Sequence, residues 1–179
     1  MELLTERLLL REFVKEDWTA VFTYQSDPRY LRYYHWTERR EAEVQEFIQM
    51  FIAHQSTQPR TKYQFAVVLQ EGGQLIGNCG VRKESAEAQV ADMGYELDPN
   101  YWGYGYATEA ATAVLNFGFS QLRVHRVWAN AIAENRASRR VLEKIGMQLE
   151  GTLRENEWMK GRWWDTVLYG ILEQEWQQL

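Results

Sequence analysis

One cysteine, Cys79, is all the thiol this chain has, and its three histidines are scattered at His35, His54 and His125. That excludes an internal disulfide framework and gives no cluster at metal-ligand spacing, so no metal is expected. No stretch approaches the roughly 18 to 20 consecutive apolar residues of a membrane span. The opening MELLTERLLLREF carries Glu2 and Glu6 where a secretory leader would carry lysine or arginine, and its apolar run is short. Positive charge is in the minority: 20 lysines and arginines face 25 acids, a net charge of −5. The acids are spread along the chain, so no direct nucleic-acid grip is indicated and cationic partners suit it better. Repeats, linkers and low-complexity tracts are missing as well. The expectation is a cytoplasmic protein whose residues 1–179 form a single domain.

What the chain has in excess is aromatic surface. Aromatic residues make up 14% and include eight tryptophans, which must be buried or must line something. Periodicity supplies the elements. Arg7–Phe13 reads as a first strand, followed by a helix opening near Lys15 with Trp18, Val21 and Phe22 on one face and ending at Asp27 and Pro28. An aromatic cluster from Tyr30 to Trp36 follows. Thr37 is the expected N-cap of a long helix carrying Val44, Phe47, Ile48, Phe51 and Ile52. QFAVVLQ, EGG and QLIGNCGVR read as strand, turn and strand, and Val90 to Leu97 completes an antiparallel meander. From Gly105 apolar residues recur every three and four to about Ser120, on a mostly alanine face that permits close approach to a sheet. HRVWANAI reads as a strand, Arg136 to Ile145 as a helix stopped by Gly146, and Gln148–Met159 and Trp163–Ile171 as two last strands joined by Lys160 and Gly161. The order predicts an α+β domain, three layers built on one mixed sheet.

The stretch PNYWGYGYATEA lies between a strand and a helix, the arrangement that aims free backbone N–H groups at an anion. A P-loop needs a lysine here, but neither lysine nor arginine occurs from Val90 until Arg123. A dinucleotide fingerprint needs a third glycine where Thr108 stands, and an acid roughly 20 residues on where Arg123 and Arg126 stand. Taken alone, the loop also reads as a glycine-bearing turn that merely starts a helix.

ELDPNYWGYGYATEA, followed about thirty residues after Gly105 by ENRASRRVLEKIGM, resembles the GCN5-related N-acetyltransferases (GNAT), and within them the ribosomal-protein N-terminal (RimJ/RimL-like) branch. TERLLLREF, the Asp-Pro pair before the aromatic cluster, and EWMKGRWWDTVLYG are similar to that branch too, so the resemblance covers nearly the whole chain. It implies a mostly antiparallel sheet of about seven strands with a central splay and flanking helices. Its activity would be direct transfer of an acetyl group from acetyl-CoA to a primary amine in a ternary complex. A protein N-terminal α-amino group of ribosomal type is the leading acceptor. A small amine such as a polyamine, an amino acid conjugate or an aminoglycoside-like drug is the alternative within the class, and a non-catalytic acyl-CoA sensor is the alternative outside it. Oligomeric state, a homodimer included, is left open.

Residue by residue, the resemblance implies that the main chain of Trp102, Gly103, Tyr104, Gly105, Tyr106, Ala107 and Thr108 holds the coenzyme diphosphate, while Asn100 stands where the family has arginine or glutamine. The strand MGYEL is implied to part from its parallel neighbour at a bulge, so that backbone around Tyr95, Glu96 and Leu97 meets the pantetheine arm. Asn135 is an N-cap by its position and a coenzyme contact by resemblance. Ser138 is implied as the general acid for the leaving thiolate, since Leu142 occupies the place of the tyrosine that many family members use. A hydroxyl capping its own helix is the other reading of Ser138. Glu157 is implied as the base, in a pocket of Trp158, Trp163 and Trp164 that would raise its pKa. Glu155, at the same strand parity, keeps open the reading of Glu157 as a solvated carboxylate. Tyr33, Tyr34, Trp36 and Trp158 are the expected acceptor wall, although such rings also close a core. Cys79 reads as a core residue rather than a nucleophile.

Overall fold

The computed structural model describes residues 1–177. Fourteen elements build one eight-stranded sheet with helices on both faces. Strands β1 (Glu2–Leu4) and β2 (Leu8–Glu12) form an N-terminal hairpin, and a 3₁₀ turn leads into helix α1 (Trp18–Gln25). Helices α2 (Pro28–Leu31) and α3 (Glu41–Gln55) follow, then β3 (Lys62–Leu69), β4 (Leu75–Lys83) and β5 (Val90–Leu97). A 3₁₀ turn at Pro99–Tyr101 precedes α4 (Tyr106–Ser120), after which come β6 (Arg126–Ile132), α5 (Arg136–Lys144), β7 (Gln148–Met159), β8 (Arg162–Leu172) and α6 (Glu173–Trp176).

The strand order is β1-β2-β3-β4-β5-β6-β8-β7. Every neighbouring pair is antiparallel except β5 with β6. Alternation along each strand divides the apolar side chains between two layers. Leu8, Leu10, Phe65, Val67, Val81, Met93, Val127, Val167 and Tyr169 join the alanine face of α4 and Leu142 of α5 in one core. Ala66, Val68 and Leu75 meet α1, α2 and α3 through Val21, Tyr24, Tyr30, Val44 and Ile48 in the other. Cys79 is fully buried in the first core.

Three expectations shift. The sheet gains an eighth strand because Glu2–Leu4, only three residues long, pairs with β2 through a turn in which Thr5 N–H donates to Leu8 O and the Thr5 hydroxyl accepts from Leu8 N–H. Helix α3 begins at Glu41 rather than after Thr37, since the Glu43 carboxylate takes the Arg40 backbone N–H and so fixes the helix start at Arg40. Asp27 and Pro28 do not only end a helix. The Asp27 carboxylate accepts from Arg29 N–H and caps α2, with proline at the first helical position.

Candidate active site

The feature that positions the site is a seam in the sheet. β5 and β6 pair over three residues, Val90↔Arg126, Ala91↔Val127 and Asp92↔Trp128. Beyond them β6 stays with β8 as far as Ile132, and β5 stays with β4 as far as Leu97. The two strands therefore part at the place expected, but without a bulge, because the β4–β5 register runs unshifted from Ala91 to Leu97. That register also fixes which backbone groups are available. Asp98 N–H donates to Ile76 O across the β4–β5 ladder. Backbone groups alternate sides along an antiparallel strand, so Met93, Tyr95 and Leu97 turn theirs away from β4 and into the seam. The Leu97 carbonyl is taken by the Trp102 indole N–H at 2.8 Å. A cavity of about 300 Å³ occupies the opening.

At one end of the seam lies the glycine loop. Gly103 (φ +87°) and Gly105 (φ +86°) both hold left-handed backbone, which a β-carbon would strain, and Gly105 is the N-cap of α4 with no side-chain cap. The first N–H groups of α4, those of Tyr106, Ala107 and Thr108, have no partner within the helix and point outward with the positive end of its dipole. A guanidinium from the N-terminal hairpin braces the loop, its charge paired with Glu109. Arg7 donates to Tyr104 O at 3.0 Å and to Glu109, and its guanidinium stacks over the Tyr106 ring. Sequence reading missed this residue, 102 positions from its carboxylate partner. Asn100 bonds Arg29 through its side chain, so its amide oxygen is directed to α2.

Tyr95, Asn135, Ser138 and Leu142 line the cavity from the α4–α5 side. The Asn135 side-chain oxygen accepts from Ser138 N–H at 3.2 Å, the N-cap geometry. The Tyr95 hydroxyl stands 2.9 Å from both the Ser138 hydroxyl and the Ser138 carbonyl. Burial pushes the Tyr95 phenol well above its ordinary range, so it keeps its proton. Leu142 contributes only apolar surface at the same wall.

Glu157 lines the cavity from the other half of the sheet, paired across β7–β8 with Trp164. Its carboxylate lies 3.1 Å from His35 Nε2 and accepts from Asn156 Nδ2 at 3.1 Å. It is half-buried, and its polar partners are His35 and Asn156. Trp164 shares its face, whereas Trp158 and Trp163 turn to the other face and pack on each other, half exposed, off the cavity wall. The parity argument linking Glu155 to Glu157 fails because the β7–β8 register shifts between Leu153 and Glu157. Glu155 takes a left-handed φ of 50° there, and its N–H donates to Asp165.

Tyr33 and Tyr34 line the cavity, while Trp36 stacks behind Tyr34 at 5.0 Å and beneath the Arg39 guanidinium. Glu96 is the residue whose placement the sequence least suggested. Its side chain leaves the seam and enters the α1–α3 layer, where Tyr24, Tyr30, Gln25 and Asn78 all donate to it. Burial, reinforced by the Glu96 charge, drives Tyr24, Tyr30 and Tyr34 well above the ordinary phenol range. Tyr30 in turn stacks on Tyr34 at 4.5 Å, which ties the end of β5 to the aromatic wall. Arg82 also lines the cavity, where sequence reading gave it no role.

A slot of unpaired strand amides that ends on a helix start, with a hydroxyl pair on one wall and a carboxylate on the other, defines a group-transfer site for an extended anionic donor. Comparison with known proteins agrees: residues 7–148 match the acetyltransferase (GNAT) domain family. The uncharacterised N-acetyltransferase YnaD of Bacillus subtilis is 36% identical over 98% of this chain and 99% of its own. The crystal structure of a GNAT-family acetyltransferase from Bacillus anthracis is 33% identical, covers 97% of this chain and 99% of its own, and superposes with a TM-score of 0.85. The RimL ribosomal L7/L12 α-N-protein acetyltransferase bound to coenzyme A shares the fold, with a TM-score of 0.84 at 18% identity over 96% of this chain and 98% of its own. The chain belongs to the GNAT family and is an acetyl-CoA-dependent N-acetyltransferase.

Proposed function

We propose that this enzyme acetylates the α-amino group at a protein N-terminus, as a RimJ/RimL-like acetyltransferase working in a ternary complex. The observation that carries the reading is the convergence on one cavity of Tyr95 from β5, Ser138 from α5 and Glu157 from β7. Backbone groups of Tyr95 and Leu97 receive the pantetheine arm as an added strand would, and the amides from Trp102 to Thr108 receive the diphosphate. Amides at a helix start hold an anion without a cationic side chain. Acetyl-CoA supplies the activated acetyl group. Glu157 takes the proton of the attacking ammonium, directly or through one water, which leaves a neutral amine as nucleophile. Tyr95 has a single O–H. When it donates to the Ser138 hydroxyl, Ser138 is free to give its own proton to the departing sulfur. Asn135 holds the first turn of α5, and with it Ser138, in place.

Thiol release from acetyl-CoA, measured against N-terminal peptides, polyamines and aminoglycosides, tests the reading. Transfer to peptide N-termini with little to the other amines is expected; transfer confined to polyamines or aminoglycosides overturns it.

A further inference from the structure

The charged groups on the cavity wall limit what the acceptor looks like beyond its amine. Among the residues that line it, Arg82 and Glu157 carry opposite charges, with His35 beside Glu157. Arg82 stands on β4 and Glu157 on β7, on the same sheet face and on opposite sides of the seam. A guanidinium has five N–H donors, and three of these are used. Nε and Nη2 both donate to the single oxygen Oδ2 of Asp92, and Nη1 reaches Gln64 Oε1 at a long 3.3 Å. Two donors remain. Asp92 offsets the positive charge, so the pair offers hydrogen bonds without a net charge. Such a donor fits a neutral carbonyl oxygen better than a carboxylate, and an ammonium has no acceptor to give it. Gly94 makes the placement feasible, because a β-carbon there would stand 3.2 Å from Arg82 Nη2. The cavity, about 300 Å³, lies at the small end of the range for ligand sites.

We infer that Arg82 receives the carbonyl oxygen next to the acceptor amine, so that the enzyme selects α-amino amides, the chemistry of a peptide N-terminus, against polyamines and simple alkylamines. The inference rests on the acceptor reading above and adds the residue that reads the first peptide bond. Glu157 and Arg82 then address the two ends of one N–Cα–C=O unit: the carboxylate takes the ammonium and the guanidinium takes the oxygen. A polyamine has nothing to offer Arg82, and a free amino acid offers a carboxylate that Asp92 opposes.

The experiment uses the full chain with saturating acetyl-CoA and a panel of amino-acid amides, the matching free amino acids, the matching decarboxylated amines, and spermidine. Amides are expected to exceed their decarboxylated partners at least tenfold in kcat/KM, with the free acids below the amides. Arg82→Gln combined with Asp92→Asn removes both charges together and leaves no orphaned carboxylate. In that variant the amide-to-amine ratio should collapse towards one, mainly through KM. A wild-type ratio near one, preference for spermidine, or an unchanged ratio in the variant overturns the inference. Calorimetric binding of acetyl-CoA separates the two levels. If acetyl-CoA does not bind, the enzymatic reading itself fails; if it binds, a wild-type ratio near one or a preference for spermidine overturns the acceptor reading and the inference with it, whereas a wild-type preference for amides that persists in the variant overturns only the role of Arg82.

Discussion

The Ser138 and Tyr95 hydroxyls bond each other, and among the described residues neither has another side-chain partner. Ser138→Ala and Tyr95→Phe are each expected to lower kcat about 100-fold while leaving the calorimetric Kd for acetyl-CoA unchanged, since general acid–base groups contribute roughly 10²–10⁴. Glu157→Gln should behave likewise, and wild-type turnover in any of these variants removes that residue from the proton path. Glu96 works at a distance from the chemistry. Glu96→Gln replaces one of the two oxygens that accept from Tyr24, Tyr30, Gln25 and Asn78 by an NH2 donor, at a cost of about 1–3 kcal/mol in urea unfolding. An unchanged unfolding midpoint would show that the knot contributes nothing. Ser138 and Glu157 were named through the family resemblance of the segments that hold them, and both line the cavity. The partners of Arg7, Arg82 and Glu96 were not legible, because each meets them only through the sheet register: Glu96 lies 72 positions from Tyr24, and nothing local marks either residue.

At the level of elements, the loop before α4 depends on conformation rather than on side chains. Gly105→Val would place a β-branched residue at φ +86° and push its side chain towards Arg7, whose Nη2 already lies 3.5 Å from a β-carbon at that position. Loss of the acetyl-CoA-induced rise in melting temperature is expected, and a rise equal to wild type would move the diphosphate elsewhere. The N-terminal hairpin is clamped to this loop through Glu109. Burial pushes the Glu109 carboxyl up, but hydrogen bonds from Thr5 and Arg7 outweigh it and hold it below the usual 4.5. A carboxyl held low takes up its proton less readily in the folded than in the unfolded chain. Its stabilisation is present above about pH 4.5 and is lost as the pH falls through the folded value. Glu109→Gln should therefore cost stability at pH 7 and progressively less as the pH falls below 4.5; equal losses in urea titrations across that range would rule out an ionic origin. Element limits were legible where a period was sustained, as in β3, β4, β5 and α4. They failed where a few local hydrogen bonds decide, as at the start of α3, in three-residue β1, and at the β7 irregularity that defeats parity counting around Glu157.

Across the whole molecule, two cores flank one sheet, and Cys79 lies in one of them at the middle of β4. Burial pushes its thiol up to about 12. The native protein should therefore ignore a thiol reagent at pH 8 and react only as the sheet opens. A ligand that binds only the closed form at 100 times its Kd stabilises it by about 2.7 kcal/mol. Saturating acetyl-CoA should then slow labelling about 100-fold, and an unchanged rate would mean that coenzyme binding and sheet opening are uncoupled. The three-layer arrangement followed from alternating helical and strand periods. The path of the seam did not, since no residue type announces where two parallel strands stop pairing.

The three-residue contact between β5 and β6 also makes the sheet a jointed plate, five strands on one side and three on the other, with α4 packed across the joint. Under load applied between the two plates the joint should yield first, because only three residue pairs cross it. A molecule that lies in the gap and bonds like a strand acts there as a splint. Pulled from its two ends in an optical trap, the enzyme should part into these two plates at low force when empty and at distinctly higher force with acetyl-CoA bound, so that the substrate doubles as a structural member of the sheet it reacts in.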